Sequence, residues 1–388
     1  MTKNKMQKYT DKYFLRSNQI LKAENLNPWV NMQVFVRKGP GQIAGIDEAV
    51  DLITQNSNIT EVGGRIYAKK EGELYQPCDT VMNIVAPIQE IMELETVYLG
   101  VIAAETTRKN DKKELDFNAI GNQMSEVVEL AGGRPVLYFG ARHWHWQADT
   151  ELAKLAFEKG CAAVATDNGA ALKGWEGTGT IPHALENIYA WKYGMQNAVK
   201  ESTKAFDRVI DPKVARIALV DYNNMEIDDT LATAYALEVN LSAIRVDTCG
   251  ENLGQGGRLE SVVSGTVNYP IKYYYGKGVT IAGVGAIKLA LEKTRYKDLG
   301  IFLSSGFSNP EKVKAFNYCE ERNVYGGKLY DGIGAGFLDG IRCATADVIA
   351  VADEPDKVDF YKNQVEQQNI LHKVGRPPKI NYSLERKL

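Results

Sequence analysis

From about residue 116 onward the chain alternates short apolar runs with amphipathic segments, and this rhythm restricts its fold more than any other feature. The runs are Pro135 to Phe139, Cys161 to Thr166, Arg216 to Val220, Ser242 to Val246, Leu299 to Leu303 and Asp347 to Val351. Strands separated by helices pair in parallel through right-handed crossovers, so a parallel α/β sheet or barrel is expected. Asp167, Asp221 and Asp247 follow three of these runs, and Ser304-Ser305-Gly306 follows a fourth. Functional groups collect at the carboxyl ends of parallel strands, which points to one composite site.

The first 112 residues have another texture. Val34–Val36 and Arg65–Tyr67 read as strands and Asp47 to Thr54 as a helix, and Ile91, Leu94, Val97, Tyr98 and Val101 recur at helical spacing. Together they suggest a small α/β domain. The polar run Thr106 to Glu114 reads as a solvated helix end or linker.

A net charge of -3 over 388 residues argues against a nucleic-acid binder, whose non-specific affinity needs a basic surface. Any anionic ligand must therefore meet a local cationic pocket. The five cysteines are scattered without Cys-x-x-Cys spacing, as expected of reduced core thiols rather than a zinc site. The amino terminus is polar and no apolar run approaches the roughly 18 to 20 residues of a membrane span, so a cytoplasmic protein with no membrane partner is expected.

Several patterns carry chemistry. Leu303 to Glu311 reads as a strand, a small-residue turn and a helix start, with Ser308 or Asn309 at the N-cap and Pro310 at N1. The amides of such a turn can cradle a phosphate. Tyr330 to Phe337, containing Gly332 and Gly334, reads as a second glycine-rich turn, whereas Gly254 to Arg258 lacks the strand-to-helix context of a nucleotide loop. Asp221 and Asp247 end neighbouring strands. Such a pair can stabilise a cationic sugar, bind ribose hydroxyls or hold Mg²⁺ through water, or each can cap the next helix. Arg245 lies two residues before Asp247, so both can share one strand face. Phe139 and Arg142 offer a flat anion-binding wall, and His183, in a small-residue loop, can attack a phosphoryl group. His143 and His145 alternate with Trp144 and Trp146 without a visible third ligand, so a packed aromatic corner is expected there rather than a metal.

Thr10-Asp11-Lys12-Tyr13, Phe139-Gly-Ala-Arg142, Gly179-Thr-Ile-Pro-His183 and Arg245-Val-Asp247, with Ser305-Gly306 and Gly332-Ile-Gly334 behind them, resemble the short archaeal and bacterial form of the nicotinate phosphoribosyltransferase family, a type II phosphoribosyltransferase. The resemblance implies an irregular, incomplete α/β barrel over residues 116–349. It also implies an N-terminal α/β domain over 1–115, completed by a returning tail at 350–388. It implies transfer of the phosphoribosyl group of phosphoribosyl pyrophosphate to nicotinate, coupled to ATP hydrolysis through a phosphohistidine at His183.

In that scheme Phe139 stacks on the pyridine, Tyr13 covers the other face from a partner subunit, and Arg142 meets the carboxylate. Arg245 and Thr180 complete the substrate site, Asp247 meets the ribose, and Asp221 lies near ribose and metal. Ser305, Gly306, Gly332 and Gly334 hold the 5′-phosphate, while Arg37, Lys373 and Lys379 lie by the pyrophosphate. Mg²⁺ enters on the substrate, with Asp221 as a candidate contact, and a homodimer or larger assembly shares its sites. With no cysteine after Cys343, no structural zinc is expected. Asp167 matches an acidic position that accepts from the amide in nicotinamide enzymes, so nicotinamide is the alternative base. A phosphoribosyl pyrophosphate-binding protein without turnover is the third reading.

Overall fold

The computed structural model describes residues 5–258, 268–338 and 340–388. Two sheets organise them. The first contains β1 (Trp29–Val36), β3 (Arg65–Ala68), β5 (Thr80–Pro87), β12 (Ala344–Ala352) and β13 (Glu385–Arg386), in the antiparallel order β12-β1-β5-β3-β13. The second contains β6 (Val136–Tyr138), β7 (Ala163–Val164), β8 (Arg216–Leu219), β9 (Leu241–Val246), β10 (Gly300–Leu303) and β11 (Gly332–Ala335), all parallel, in the order β7-β6-β11-β10-β9-β8. A two-stranded pair, β2 (Gly41–Gln42) and β4 (Leu74–Tyr75), stands apart. The parallel sheet ends at β7 and β8 without closing, as an incomplete barrel does.

Period-two alternation explains how β1 serves two neighbours. Val30, Met32 and Val34 enter the main core. Asn31 and Gln33, on the opposite face, are buried under the returning tail. Asn31 Nδ2 donates to the Val358 carbonyl at 2.9 Å, and Gln33 exchanges bonds with Pro377 and Lys379 at 3.2 and 3.0 Å. The tail reaches the sheet with backbone polar groups, so amides on that face satisfy them where apolar side chains would leave them unpaired. β13 then pairs with β3 and ends the chain on the same sheet.

Two assignments made from sequence need correction. Asp347 to Val351 does not join the parallel sheet; it lies in β12, antiparallel to β1 with Gln33 opposite Asp347. The apolar character of a strand buried on both faces is the same in either sheet. Tyr330 to Phe337 is not a turn: Gly332 to Ala335 is β11, inserted between β6 and β10. Its glycines make room for aromatic rings, since a Cβ on Gly332 would lie 2.4 Å from Phe302 and one on Gly334 2.4 Å from Phe139. The run from Thr106 does form a helix end, closing the helix Glu95–Asp111, although Thr106 and Thr107 themselves are buried.

That helix also positions the turn after β6. A Cβ on Gly100 would fall 2.3 Å from the Trp144 carbonyl oxygen, so the turn Ala141–Trp144 rests its backbone on the helix. Gly100→Ala should lower stability by about 1–3 kcal/mol, because overpacking against backbone exceeds the ~1 kcal/mol gained in helix propensity. Urea denaturation measures this, and a stabilised variant would contradict the close approach.

Candidate active site

A cavity of about 320 Å³ opens between the sheets, at the carboxyl ends of the parallel strands. Tyr13, Phe139, Arg142, His183, Arg245, Asp247, Ser305, Gly306, Gly334, Arg37 and Lys373 all line it, although they come from widely separated segments.

At one end Phe139 extends β6, its amide donating to Ala335 at 2.8 Å, and its ring fills the space that Gly334 leaves. Arg245 places its guanidinium carbon 5.9 Å from the centroid of that ring. Arg142 Nη1 donates to the Tyr13 hydroxyl at 3.1 Å, and that hydroxyl donates to Asp11 Oδ2 at 3.0 Å. Thr96 Oγ1 donates to the same Asp11 oxygen at 3.1 Å. Tyr13 therefore lines the cavity of its own chain. Burial pushes the carboxyl of Asp11 up, against the pull of Arg142. Burial also pushes Glu95, another lining residue, up to about 8, again partly offset by Arg142. His143 is pushed down to about 3 by burial and then by Arg142, so it is a neutral neighbour packed near the Gly336 carbonyl. His145 meets Glu48 at 2.9 Å, away from His143's partner.

In the centre, His183 opens the helix His183–Tyr193 and its Nε2 meets Asp221 Oδ1 at 2.9 Å. Asp221 is wholly buried, and its other oxygen accepts from Lys373 Nζ at 2.6 Å. Lys373 also donates to the Asp221 backbone carbonyl. Burial alone would raise the carboxyl, but Lys373 and His183 outweigh it and hold Asp221 well below the usual carboxylate range. Each Asp221 oxygen thus has a cationic or imidazole partner of its own. Asp247, beside it on the next strand, accepts from Ser304 Oγ at 2.6 Å.

At the far end Ser305 and Gly306 adopt left-handed backbone, with φ of 61° and 86°. A turn of this kind at the carboxyl end of a strand can offer its amides to an anion. Asn309, one of the two caps the sequence offers, caps the next helix, Pro310–Glu321, by accepting from the Glu311 amide at 3.0 Å. Arg37 and Arg376 each stand 5.6 Å from the Phe35 ring and both face Glu251.

Five expected residues lie outside the cavity lining: Asp221, buried behind His183 and Lys373, and four others. Asp167 pairs with Lys12 at 2.9 Å and accepts from the Gly177 amide at 2.8 Å. Thr180 donates to the Ile217 carbonyl at 2.8 Å, Lys379 bonds the first sheet through its backbone, and Gly332 packs under Phe302. Sequence reasoning missed Asp11, Glu95, Asp347 and Arg376 as lining residues. Asp11 stands inside a motif already singled out, and Glu95 interrupts an apolar helical stripe. Arg376 lies in a tail that composition marks as frayed, and gives no such signal.

The pKa shifts of Glu95 and Asp221 have opposite consequences for stability. Glu95 is raised, so its contribution is complete below the ordinary carboxylate range and is lost as pH climbs toward about 8. Asp221 is lowered, so its contribution is present at neutral pH and is lost only in acid. Glu95→Gln should therefore flatten the fall in thermal stability between about pH 5 and pH 8, and an unchanged Tm profile would refute the burial argument. Lys373→Met should cost about 3–5 kcal/mol by stranding Asp221, and pairing it with Asp221→Asn should recover much of that loss in a double-mutant cycle.

Residues 11–105 match the family described as quinolinate phosphoribosyl transferase, N-terminal domain. A nicotinate phosphoribosyltransferase of Mycobacterium tuberculosis is 28% identical over 235 residues, covering 57% of this chain and 49% of the relative. The chain thus spans about half the length of the curated relatives it matches. Among solved structures, a nicotinate phosphoribosyltransferase from Porphyromonas gingivalis superposes with a TM-score of 0.62 at 12% identity, over 95% of this chain and 92% of that one. One from Vibrio cholerae gives 0.59 at 13% identity, over 92% and 89%. At such identities the superpositions speak for the fold alone. The chain is thus similar to quinolinate phosphoribosyl transferases in its N-terminal domain, to nicotinate phosphoribosyltransferases over about half of its length, and to the latter in fold from end to end.

Proposed function

We propose that the protein is a nicotinate phosphoribosyltransferase of NAD biosynthesis, making nicotinate mononucleotide and pyrophosphate from nicotinate and phosphoribosyl pyrophosphate. The observation that carries this reading is the layout of one cavity. An aromatic ring and a guanidinium stand at one end, a left-handed anion turn at the other, and a carboxylate between them.

Phe139 supplies a face for the pyridine and Arg142 a charge-assisted partner for its carboxylate. The pyridine nitrogen attacks C1′ of the ribose, the C1′–O bond breaks, and its electron pair leaves with pyrophosphate. Asp247 faces the positive charge that develops on the sugar, and the stacked base is held in line for attack. Arg37 and Arg376 flank the side on which pyrophosphate departs, where Mg²⁺ brought by the substrate would help neutralise its charge. His183 couples the reaction to ATP. Its Nε2 is held by Asp221, so Nδ1 is the atom that attacks the terminal phosphorus and displaces ADP. Asp167 is turned to Lys12 and Gly177, which favours nicotinate over nicotinamide as the base. A homodimer in the cytoplasm is part of the proposal, with each chain supplying its own Tyr13.

Purified protein given nicotinate, phosphoribosyl pyrophosphate, Mg²⁺ and ATP should form the mononucleotide, and no product would sink the assignment. Arg142→Lys should raise KM for nicotinate about tenfold or more, since an ammonium cannot reproduce the planar contact. His183→Ala should abolish ATP stimulation while leaving ATP-independent transfer; intact coupling would remove His183 from that role.

A further inference from the structure

Behind the left-handed turn stands a buried cation that the proposed chemistry does not use. Lys312, in the first turn of the helix Pro310–Glu321, is only 7% exposed. Its Nζ donates to the Ser305 carbonyl at 2.9 Å and lies 4.3 Å from the centroid of the Phe307 ring. The same nitrogen is 3.6 Å from where a Cβ on Gly306 would stand, so it backs directly onto the turn.

Among the described residues no carboxylate forms an ion pair with it. The charge it feels is that of Asp247, at the end of β9, which is occupied by Ser304 Oγ at 2.6 Å. On its own helix, Glu311 accepts from the Tyr273 hydroxyl at 3.1 Å and Lys314 pairs with Glu126 at 2.7 Å. A buried ammonium without a counter-ion either loses its proton or acquires an anion.

We propose that Lys312 is charged by its ligand: when a phosphomonoester dianion settles on the Ser305–Gly306 turn, Lys312 takes a proton from solvent and becomes its counter-ion. This rests on placing a phosphate group at that turn, as the proposed function does, but requires neither transfer to a base nor ATP. Burial pushes the lysine down to about 7, against the pull of Asp247, so above neutrality the free protein holds it mostly uncharged. A bound dianion raises it again. Binding then takes up a proton, and affinity falls as pH rises above about 7.

The test is calorimetric titration of the full chain with ribose 5-phosphate at about pH 8, in two buffers of different ionisation enthalpy. A phosphomonoester is already a dianion there, its second pKa being about 6, so any uptake belongs to the protein. The wild type should take up about one proton per ester bound. Lys312→Met should lose the uptake and weaken binding by about tenfold to a hundredfold. Lys312→Arg should bind without uptake, because a guanidinium is always charged. If Lys312→Met does not fold, the wild type and Lys312→Arg decide. Absence of ester binding or of uptake in the wild type, or uptake persisting in either variant, overturns the proposal. A protein that shows the uptake but makes no mononucleotide keeps this inference and loses the enzyme assignment; turnover without uptake does the reverse.

Discussion

The buried pair between Asp221 and Lys373 holds the two parts of the architecture to one site. Asp221 follows β8, an edge strand of the parallel sheet, and Lys373 belongs to the tail that crosses the antiparallel sheet. Neither charge could be buried alone, because desolvating an unpaired ion costs several kcal/mol. Each is therefore a condition for the other. The Val374 amide, next in the chain, donates to the Tyr222 carbonyl at 3.1 Å and extends the attachment beyond the ions. His183 shares the buried carboxylate at 2.9 Å, so the orientation of its ring depends on the docked tail.

The same dependence runs through the base end. Arg142 is placed by a turn resting on Gly100, and its guanidinium is aimed by the Tyr13 hydroxyl, which Asp11 holds. The Thr96 hydroxyl then fixes Asp11 to the helix that carries Gly100. A closed circuit of helix, turn and hydroxyls thus positions one guanidinium. The arginine donates to one neutral hydroxyl and meets the Asp11 carboxylate only through it, so it is aimed without a bidentate partner that would occupy it fully.

How much of this could be read from the sequence depended on range. The parallel strands, their polar ends, and a cap just before Pro310 are local patterns, and they stand where expected. Arg245 and Asp247 share the cavity because strand geometry alone places i and i+2 on one face. The mistakes concern pairings between distant segments. Nothing within Ala344–Ala352 distinguishes a strand that pairs antiparallel with residue 29 from one entering a parallel sheet. Gly332 and Gly334 resembled a turn because the rings of Phe302 and Phe139, which require them to be small, lie about 30 and nearly 200 residues away. Asp167 ends its run as Asp221 and Asp247 do, yet Lys12, from the first helix, holds it outside the cavity. Arg376 was invisible for the same reason in reverse, since its place is set only when the tail docks.

A chain with a net charge of -3 must still offer positive charge to the anions proposed for it. Counting side chains along the lining gives only a slight excess of cations, as Asp11, Glu95, Asp247 and Asp347 stand beside Arg37, Arg142, Arg245, Lys373 and Arg376. Burial changes that balance. Glu95 is pushed to about 8 and is therefore largely protonated at neutral pH. Glu186, one helical turn beyond His183, has both oxygens buried without a hydrogen-bond partner, and burial followed by the charge of Asp221 pushes it well up. Neither carboxyl cancels a neighbouring cation, whereas every guanidinium keeps its charge at any working pH. Desolvation thus acts selectively: it discharges acids that lack a partner and leaves Asp221, which has two, ionised. The result is a cavity more cationic than its composition, with its fixed negative charge confined to carboxylates that have a partner to hold them.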